Sequence, residues 1–168
     1  MAFVSLAPGQ MPGNPFEMIG KEWMLIAAGD RTGCNAMTAA WGALGEIWNK
    51  PVSFLFVRPQ RYTYQLLERC GGYSLCFFGE ENRPMMQYMG TASGRSEDKI
   101  AGAGLTLAFE DGVPYFEQAR LVLICRKLYR QDLEEGCFVD RQTLDQSYPL
   151  RDFHRMYVGE VTRVLLRR

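Results

Sequence analysis

The sequence predicts a mainly β domain in which a β-barrel is interrupted by a few short helices. Short apolar or alternating segments recur along the chain, as in all-β folds, and they do not alternate with helical patterns as β-α-β units do. Glycine-containing turns at 29–33 and 111–112 separate neighbouring segments and predict hairpins. No glycine-rich Rossmann or P-loop motif follows a strand, so a nucleotide-binding α/β fold is disfavoured.

The elements follow in order along the chain. Residues 1–12 are rich in proline and glycine and predict an arm laid over the surface. The patterns predict strands at residues 22–28, 34–41, 51–57, 73–79, 105–110, 113–117, 119–132 and 156–166. Apolar residues at helical spacing predict a helix over 62–70 that stops at Gly71-Gly72. A second, short helix is predicted over 83–89, with Pro84 in its first turn.

Length and composition limit the possible functions. A chain of 168 residues favours one domain spanning residues 1–168. Lys plus Arg equals Asp plus Glu at 19 each, which argues against a nucleic-acid partner. Five cysteines without a C-x-x-C pair argue against a disulfide framework and against a zinc or iron–sulfur site. With neither a signal peptide nor the ~20 apolar residues of a membrane span, the sequence predicts a cytoplasmic protein without membrane contact.

The segment Cys34–Gly42 is unusual for a buried strand because it carries small and amide residues in place of branched apolar ones. Alternation would put Asn35, Met37, Ala39 and Trp41 on one face of the strand. Small side chains let a flat ligand approach the backbone closely. A crowded corner of the sheet is the alternative interpretation.

Two further segments are candidate sites because of their polar groups, and the first of them favours an anion. At Val57–Thr63 a strand ends, Pro59 follows, and a helix begins near Arg61–Thr63, so two arginines and a hydroxyl meet the positive end of a helix. Thr91–Lys99 contains a tight polar Ser-Gly-Arg turn. The alternatives are an ordinary helix cap with solvated arginines, and a solvated loop.

Five short motifs occur together in one order. They are N-x-M-T-A-x-W at Asn35–Trp41, K-P-V at Lys50–Val52, V-R-P-x-R-Y-T at Val57–Thr63, S-G-R-x-x-D-K at Ser93–Lys99 and H-x-x-x-x-G-E-V at His154–Val161. In combination they resemble the flavin reductase-like FMN-binding split β-barrels, and within them the flavoredoxin-like branch. The resemblance covers roughly residues 15–165.

The resemblance implies a split β-barrel of the Greek-key type that forms a homodimer and binds FMN near the subunit interface. The flavin ring would lie along the strand that contains Asn35, Met37, Thr38, Ala39 and Trp41. The second motif would hold the phosphate and ribityl chain through Arg58, Arg61, Tyr62 and Thr63. The third would close over the cofactor with Ser93, Gly94 and Lys99.

His154 is the only histidine, and it matches the family's histidine beside the flavin edge in reductases that use pyridine nucleotides. The resemblance therefore implies a flavin (FMN) reductase that uses NAD(P)H, with His154 as the catalytic candidate. Two positions depart from the family pattern, because Ala40 stands where many relatives have Ser and Phe153 where two-component reductases often have Asp. Two alternatives stay open: a flavoredoxin-type electron carrier served by a ferredoxin-like donor, and a flavin-binding module without turnover. His154 is also compatible with a structural role.

Overall fold

The computed structural model describes residues 2–168; Met1, where the predicted arm begins, lies outside the described residues. The mainly β fold class is confirmed. The strands are β1 Phe3–Leu6, β2 Met24–Asp30, β3 Gly33–Ala39, β4 Gly42–Ile47, β5 Lys50–Val57, β6 Gly72–Phe77, β7 Leu107–Glu110, β8 Val113–Phe116, β9 Leu121–Asp132 and β10 Arg155–Arg167. The helices are α1 Pro15–Glu17, α2 Tyr62–Arg69, α3 Arg83–Thr91, α4 Lys99–Gly102 and α5 Arg141–Ser147.

Seven strands form a continuous antiparallel sheet in the order β3-β2-β6-β9-β10-β5-β4, and β1 pairs with β10. The two edge strands of this path, β3 and β4, are consecutive in the chain and are joined only by Ala40 and Trp41. So short a connection requires the sheet to curl until its edges approach each other, as in a barrel that is open on one side. Strands β7 and β8 form a separate hairpin through the predicted Asp111-Gly112 turn.

The curled sheet has an apolar layer on each face. Inside the barrel, residues such as Met24, Leu55 and Tyr73 form one buried cluster. On the outer face, Leu25 and Val122 belong to a second cluster that also includes residues of α3 and of the β7–β8 hairpin. Because side chains alternate along each strand, neighbouring residues of β2 contribute to both layers. Helix α2 contributes Leu66 and Leu67 to the inner cluster, which holds it against the barrel.

The structure differs from the sequence prediction in several segments, among them the short helices α1 and α4, which were not predicted. Residues 3–6, expected in a surface arm, form β1, because the second half of β10 extends beyond its pairing with β5 and offers a free edge. Strand β4 was not predicted, since its sequence GALGEI has little β propensity. Helix α5 was also missed and begins at a capping residue, Asp140, that accepts backbone N–H bonds from Gln142 and Thr143. Within residues 2–168 no helix is long and apolar enough to cross a membrane.

Candidate functional site

Two adjoining cavities lie between the gap in the barrel and the loops that surround it. The first, of about 180 Å³, is lined by the start of α2 and by the segment from Gly90 to Arg95. The second, of about 260 Å³, extends along β3 to Trp41 and His154. Both are lined by Met37 and Arg61. The shared residues make the cavities two ends of one elongated groove, with a polar end and an aromatic end that is bordered by the rings of Trp41, Phe56 and His154.

Strand β3 and helix α2 meet at a buried polar contact. The Nδ2 group of Asn35 donates a 3.0 Å hydrogen bond to Oγ1 of Thr63, and both side chains are almost fully buried. Neither residue could be apolar without leaving the other unpaired. The N-cap residue of α2, Arg61, forms no side-chain capping bond, so the first backbone amides of this helix receive no side-chain cap. The contact therefore presents an uncapped helix start to the polar cavity.

The Ser93-Gly94 turn forms the opposite wall of this cavity. A Cβ atom placed on Gly94 would lie 2.4 Å from Oδ1 of Asn35 and 2.9 Å from the ring of Tyr62. Only glycine allows this approach. The next residue, Arg95, donates to the carbonyl of Gln60 at 3.0 Å and lies over the Tyr62 ring. The turn is thus fastened to the loop that precedes α2.

Two cations lie together at the polar end of the groove. Arg61 donates to the carbonyl of Gly90 at 3.1 Å, and Nζ of Lys99 donates to the carbonyls of Met89 and Ala92 at 2.9 and 3.1 Å. These carbonyls belong to the C-terminal end of α3, whose dipole favours cations. Among the described residues, neither cation forms an ion pair with a carboxylate.

Lys99 is a buried cation, only 2% exposed. Desolvation lowers the pKa of Lys99 from 10.5 to about 8, and the positive charge of Arg61 acts in the same direction. Burial also lowers the pKa of Arg61. A bound anion would relieve both effects, because it compensates two neighbouring positive charges in a water-poor site.

The aromatic end of the groove is built differently. The rings of Trp41 and His154 lie 5.1 Å apart between centroids, and Trp41 is 49% exposed at the cavity mouth. Arg58 reaches this cavity, but it is paired with Asp152 and also donates to the carbonyl of Ser147 at 3.4 Å. The sequence predicts that Arg58 and Arg61 act on the same anion; in the structure, Arg58 lines the aromatic cavity only and has a carboxylate partner.

The structure brings all of the other predicted site residues to the groove. The polar cavity is lined by Asn35, Met37, Arg61, Tyr62, Thr63, Ser93, Gly94 and Lys99, and the aromatic cavity by Met37, Thr38, Ala39, Trp41, Arg58, Arg61 and His154. The hydroxyl of Thr38 donates to the carbonyl of Met86 at 2.5 Å, so it ties β3 to α3.

Sequence reasoning missed several groups that shape the groove. No sequence pattern marks the carbonyls of Met89, Gly90 and Ala92, because every residue type supplies a backbone carbonyl at the end of a helix such as α3. Tyr148, which contacts His154, lies in a segment without a recognised motif. A larger cavity of about 590 Å³ lies elsewhere, beside Cys70, and has both acidic and basic side chains in its lining.

The chain matches the model of one protein family. The match, to the flavin reductase like domain, spans residues 18–168. The chain belongs to this family. The resemblance inferred from the five motifs is thereby confirmed. No curated protein matches the sequence significantly.

Solved structures of this family share the fold. Flavoredoxin of Desulfovibrio vulgaris (Miyazaki F) is 21% identical, with 86% of this chain and 69% of that chain covered and a TM-score of 0.67. For the FMN-binding protein from Thermus thermophilus, solved with 1-cyclohex-2-enone bound, the identity is 23%, the coverages 95% and 77%, and the TM-score 0.65. A Shewanella frigidimarina protein with a split barrel domain is 16% identical, with coverages of 95% and 77% and a TM-score of 0.68. The split-barrel architecture of this family member is confirmed.

The lowered pKa of Lys99 predicts a pH-dependent stability. Below pH 8 the folded state holds a buried charge, and between pH 8 and 10.5 it releases a proton that the unfolded chain keeps. Stability conferred by this group therefore rises with pH, by roughly 1 kcal/mol per pH unit above 8. Urea denaturation of flavin-free wild type and Lys99→Met from pH 7 to pH 9.5 measures this rise, because the contributions of the other titrating groups cancel in the difference between the two proteins.

We expect the free energy of unfolding of wild type, relative to Lys99→Met, to increase over that range. Lys21→Met is the control, since Lys21 is exposed and its pKa is raised by the hydrogen bond that it donates to Glu17. It should show no such increase. A constant difference between wild type and Lys99→Met would mean that Lys99 titrates as an ordinary lysine.

Proposed function

We propose that this protein is an FMN-binding flavoprotein oxidoreductase of the flavin reductase kind, reduced by NAD(P)H. The observation that carries the proposal is a pair of cations, Arg61 and Lys99, that have no carboxylate partner within residues 2–168. They lie at one end of a groove that continues along the small-residue strand to His154. Family membership supports a flavin as the ligand. FMN, in preference to FAD, suits a groove whose cationic end is walled by α3 and the Ser93-Gly94 turn, because FMN ends in a phosphate.

The described residues fit FMN at both ends of the groove. At the polar end, the phosphate would accept from Arg61, Lys99 and the uncapped amides at the start of α2. Asn35 and Thr63 would face the ribityl chain, and Gly94 leaves the space that a side chain would fill. At the other end, Ala39 closes β3 and Ala40 follows it, and these small side chains leave room for the flat ring. Together the cavities reach the ~300–1,000 Å³ range of small-molecule sites.

Bound FMN would supply the redox chemistry, accepting two electrons as a hydride and passing them to an acceptor. The chain's own residues bind and orient the cofactor and shape access to it. Arg61 and Lys99 supply positive charge at the polar end, and Ser93-Gly94 shields that end from solvent. Trp41 and His154 border the cavity where a second reactant would enter.

The same proposal includes the domain organisation, the oligomeric state and the cellular location of the protein. We propose that residues 1–168 act as one FMN-binding domain, as a homodimer in the cytoplasm. Trp41, at 49% exposure, stands at the mouth of the groove, and a second copy of the chain would cover it. Closed two-fold dimers are the commonest soluble assemblies.

Replacing Arg61 tests the phosphate site. We expect Arg61→Ala to weaken FMN binding about 10- to 100-fold, since a charge-assisted hydrogen bond contributes ~1.5–3 kcal/mol. Riboflavin has no phosphate, so its affinity should change little. Fluorescence titration with each ligand measures both constants. Arg69→Ala, at the opposite end of α2, is the matched control and should leave both affinities unchanged. An equal loss for FMN and riboflavin would place Arg61 away from the phosphate.

Anaerobic reduction separates the proposed enzyme from a carrier. We expect NADH or NADPH to remove the flavin absorbance of the FMN-loaded protein rapidly, because the aromatic cavity admits a flat second reactant beside the flavin. The exposed Trp41 mouth also favours a second candidate, a flavoredoxin-type carrier. Reduction only by a ferredoxin-like donor would support that carrier, and reduction by neither would leave a flavin-binding module without turnover.

The dimer is tested by light scattering at micromolar concentration. We expect a homodimer that dissociates less readily when FMN is present, because a ligand that binds only the assembled site stabilises it by mass action. Trp41→Ala should weaken association. A monomer that retains FMN tightly would show that one chain builds the whole site.

A further inference from the structure

His154 is held in a fixed orientation by the segment that returns from β9 to β10. Its ring lies 5.1 Å from the Trp41 ring and 5.5 Å from the Tyr148 ring, measured between centroids. Tyr148 itself packs against Phe138 and Phe153 at 5.8 and 4.9 Å. Tyr148 is 3% exposed, so this aromatic cluster leaves its hydroxyl group little freedom to move.

The contact between Tyr148 and His154 distinguishes the two ring nitrogens. The Tyr148 hydroxyl oxygen lies 2.7 Å from Nδ1 of His154. Among residues 2–168 no other hydrogen-bond acceptor lies within reach of the phenolic hydrogen. A phenol satisfies its single hydrogen by donating it, and the nitrogen that accepts must carry a lone pair. In a neutral imidazole the proton is then on Nε2.

The charges around His154 favour the neutral ring. Burial lowers the pKa of His154 from 6.5 to about 4, and the nearby guanidinium of Arg58 adds to this, while Asp152 opposes it. Asp152 is the ion-pair partner of Arg58, so its charge is largely compensated. Tyr148, whose pKa is raised by burial, stays protonated. The imidazole is therefore uncharged at neutral pH.

We propose that Tyr148 is a positioning residue that holds His154 as the neutral Nε2–H tautomer, so that His154 donates a hydrogen bond to a carbonyl oxygen of the second reactant. His154 lines the aromatic cavity, and Nε2 is the ring nitrogen left for a ligand. No carboxylate of the described residues lines this cavity, whose charged groups are Arg58 and Arg61. Such a lining suits a flat compound that presents an oxygen acceptor, and it makes His154 a donor that keeps its proton.

The position of the cavity beside the flavin rests on the proposed function, but the tautomer does not. Because His154 is the only histidine, ¹⁵N-histidine labelling of a protein without a histidine tag gives one pair of ring nitrogen signals. At pH 7 we expect a proton bonded to Nε2 and none on Nδ1. Tyr148→Phe keeps the aromatic packing and removes the hydroxyl, so both tautomers should become populated while the melting temperature changes little.

Tyr129→Phe is the matched control, since the Tyr129 hydroxyl bonds only to Gln131 at 2.8 Å. It should leave the His154 signals unchanged. A proton on Nδ1 in wild type, or an unchanged tautomer population in Tyr148→Phe, would overturn the proposal. Failure to retain FMN would contradict the proposed function alone, and the two results are therefore distinguishable.

The ligand class is tested on the FMN-loaded protein with acetophenone and with ethylbenzene, which has the same ring but no carbonyl group. We expect acetophenone to shift the Nε2–H proton signal of wild type, and to shift it less in Tyr148→Phe, where only part of the population presents that proton. Ethylbenzene should leave the signal in place. Equal responses to the two compounds, or none to acetophenone, would overturn the assignment of His154 as a carbonyl donor.

Discussion

The hydrogen bond between Asn35 and Thr63 is the contact on which the groove depends. It joins β3, at one edge of the barrel, to the first turn of α2, and both side chains are nearly inaccessible to water. A buried amide and a buried hydroxyl satisfy each other at little net cost, but either one alone would be destabilising. By fixing the start of α2, this bond also fixes Arg61 beside the end of α3. Gly94 packs against the same Asn35, so three separate segments meet at one amide side chain.

The two ends of the groove differ in how their charges are compensated. At the aromatic end, Arg58 has Asp152 as its partner, and the neighbouring imidazole is neutral. At the polar end, Arg61 and Lys99 contact only backbone carbonyls of α3 among the groups described. A helix C-terminus carries a fraction of one negative charge, so it compensates two cations incompletely. An anionic group of a ligand would therefore bind preferentially at the polar end, and this preference would set the orientation of the ligand in the groove.

The barrel explains why this groove lies at the gap between its edges. Strands β3 and β4 are the edges of the main sheet path, and their connection through Ala40 and Trp41 is too short to let them separate. Unpaired strand edges expose backbone donors and acceptors, and small residues beside them leave room for a flat molecule. The edge of β3 is thus both the weak point of the sheet and the wall of the cavity. The two cations that cap the end of α3, Arg61 and Lys99, are also those of the proposed phosphate site.

The sequence by itself determined the class of fold, the turn positions and most of the residues of the groove. Hairpin turns, helix stops and the small-residue strand are local features, since they follow from backbone preferences within a few residues. The tertiary structure alone decided which partners those residues found. It paired Arg58, but not Arg61, with a carboxylate, because the folded chain brings Asp152, ninety-four positions away in sequence, back to Arg58. It made residues 3–6 a strand, because β10 extended far enough to pair with them. It also placed Tyr148 against His154. This contact depends on how the whole segment folds, and no short sequence pattern predicts it.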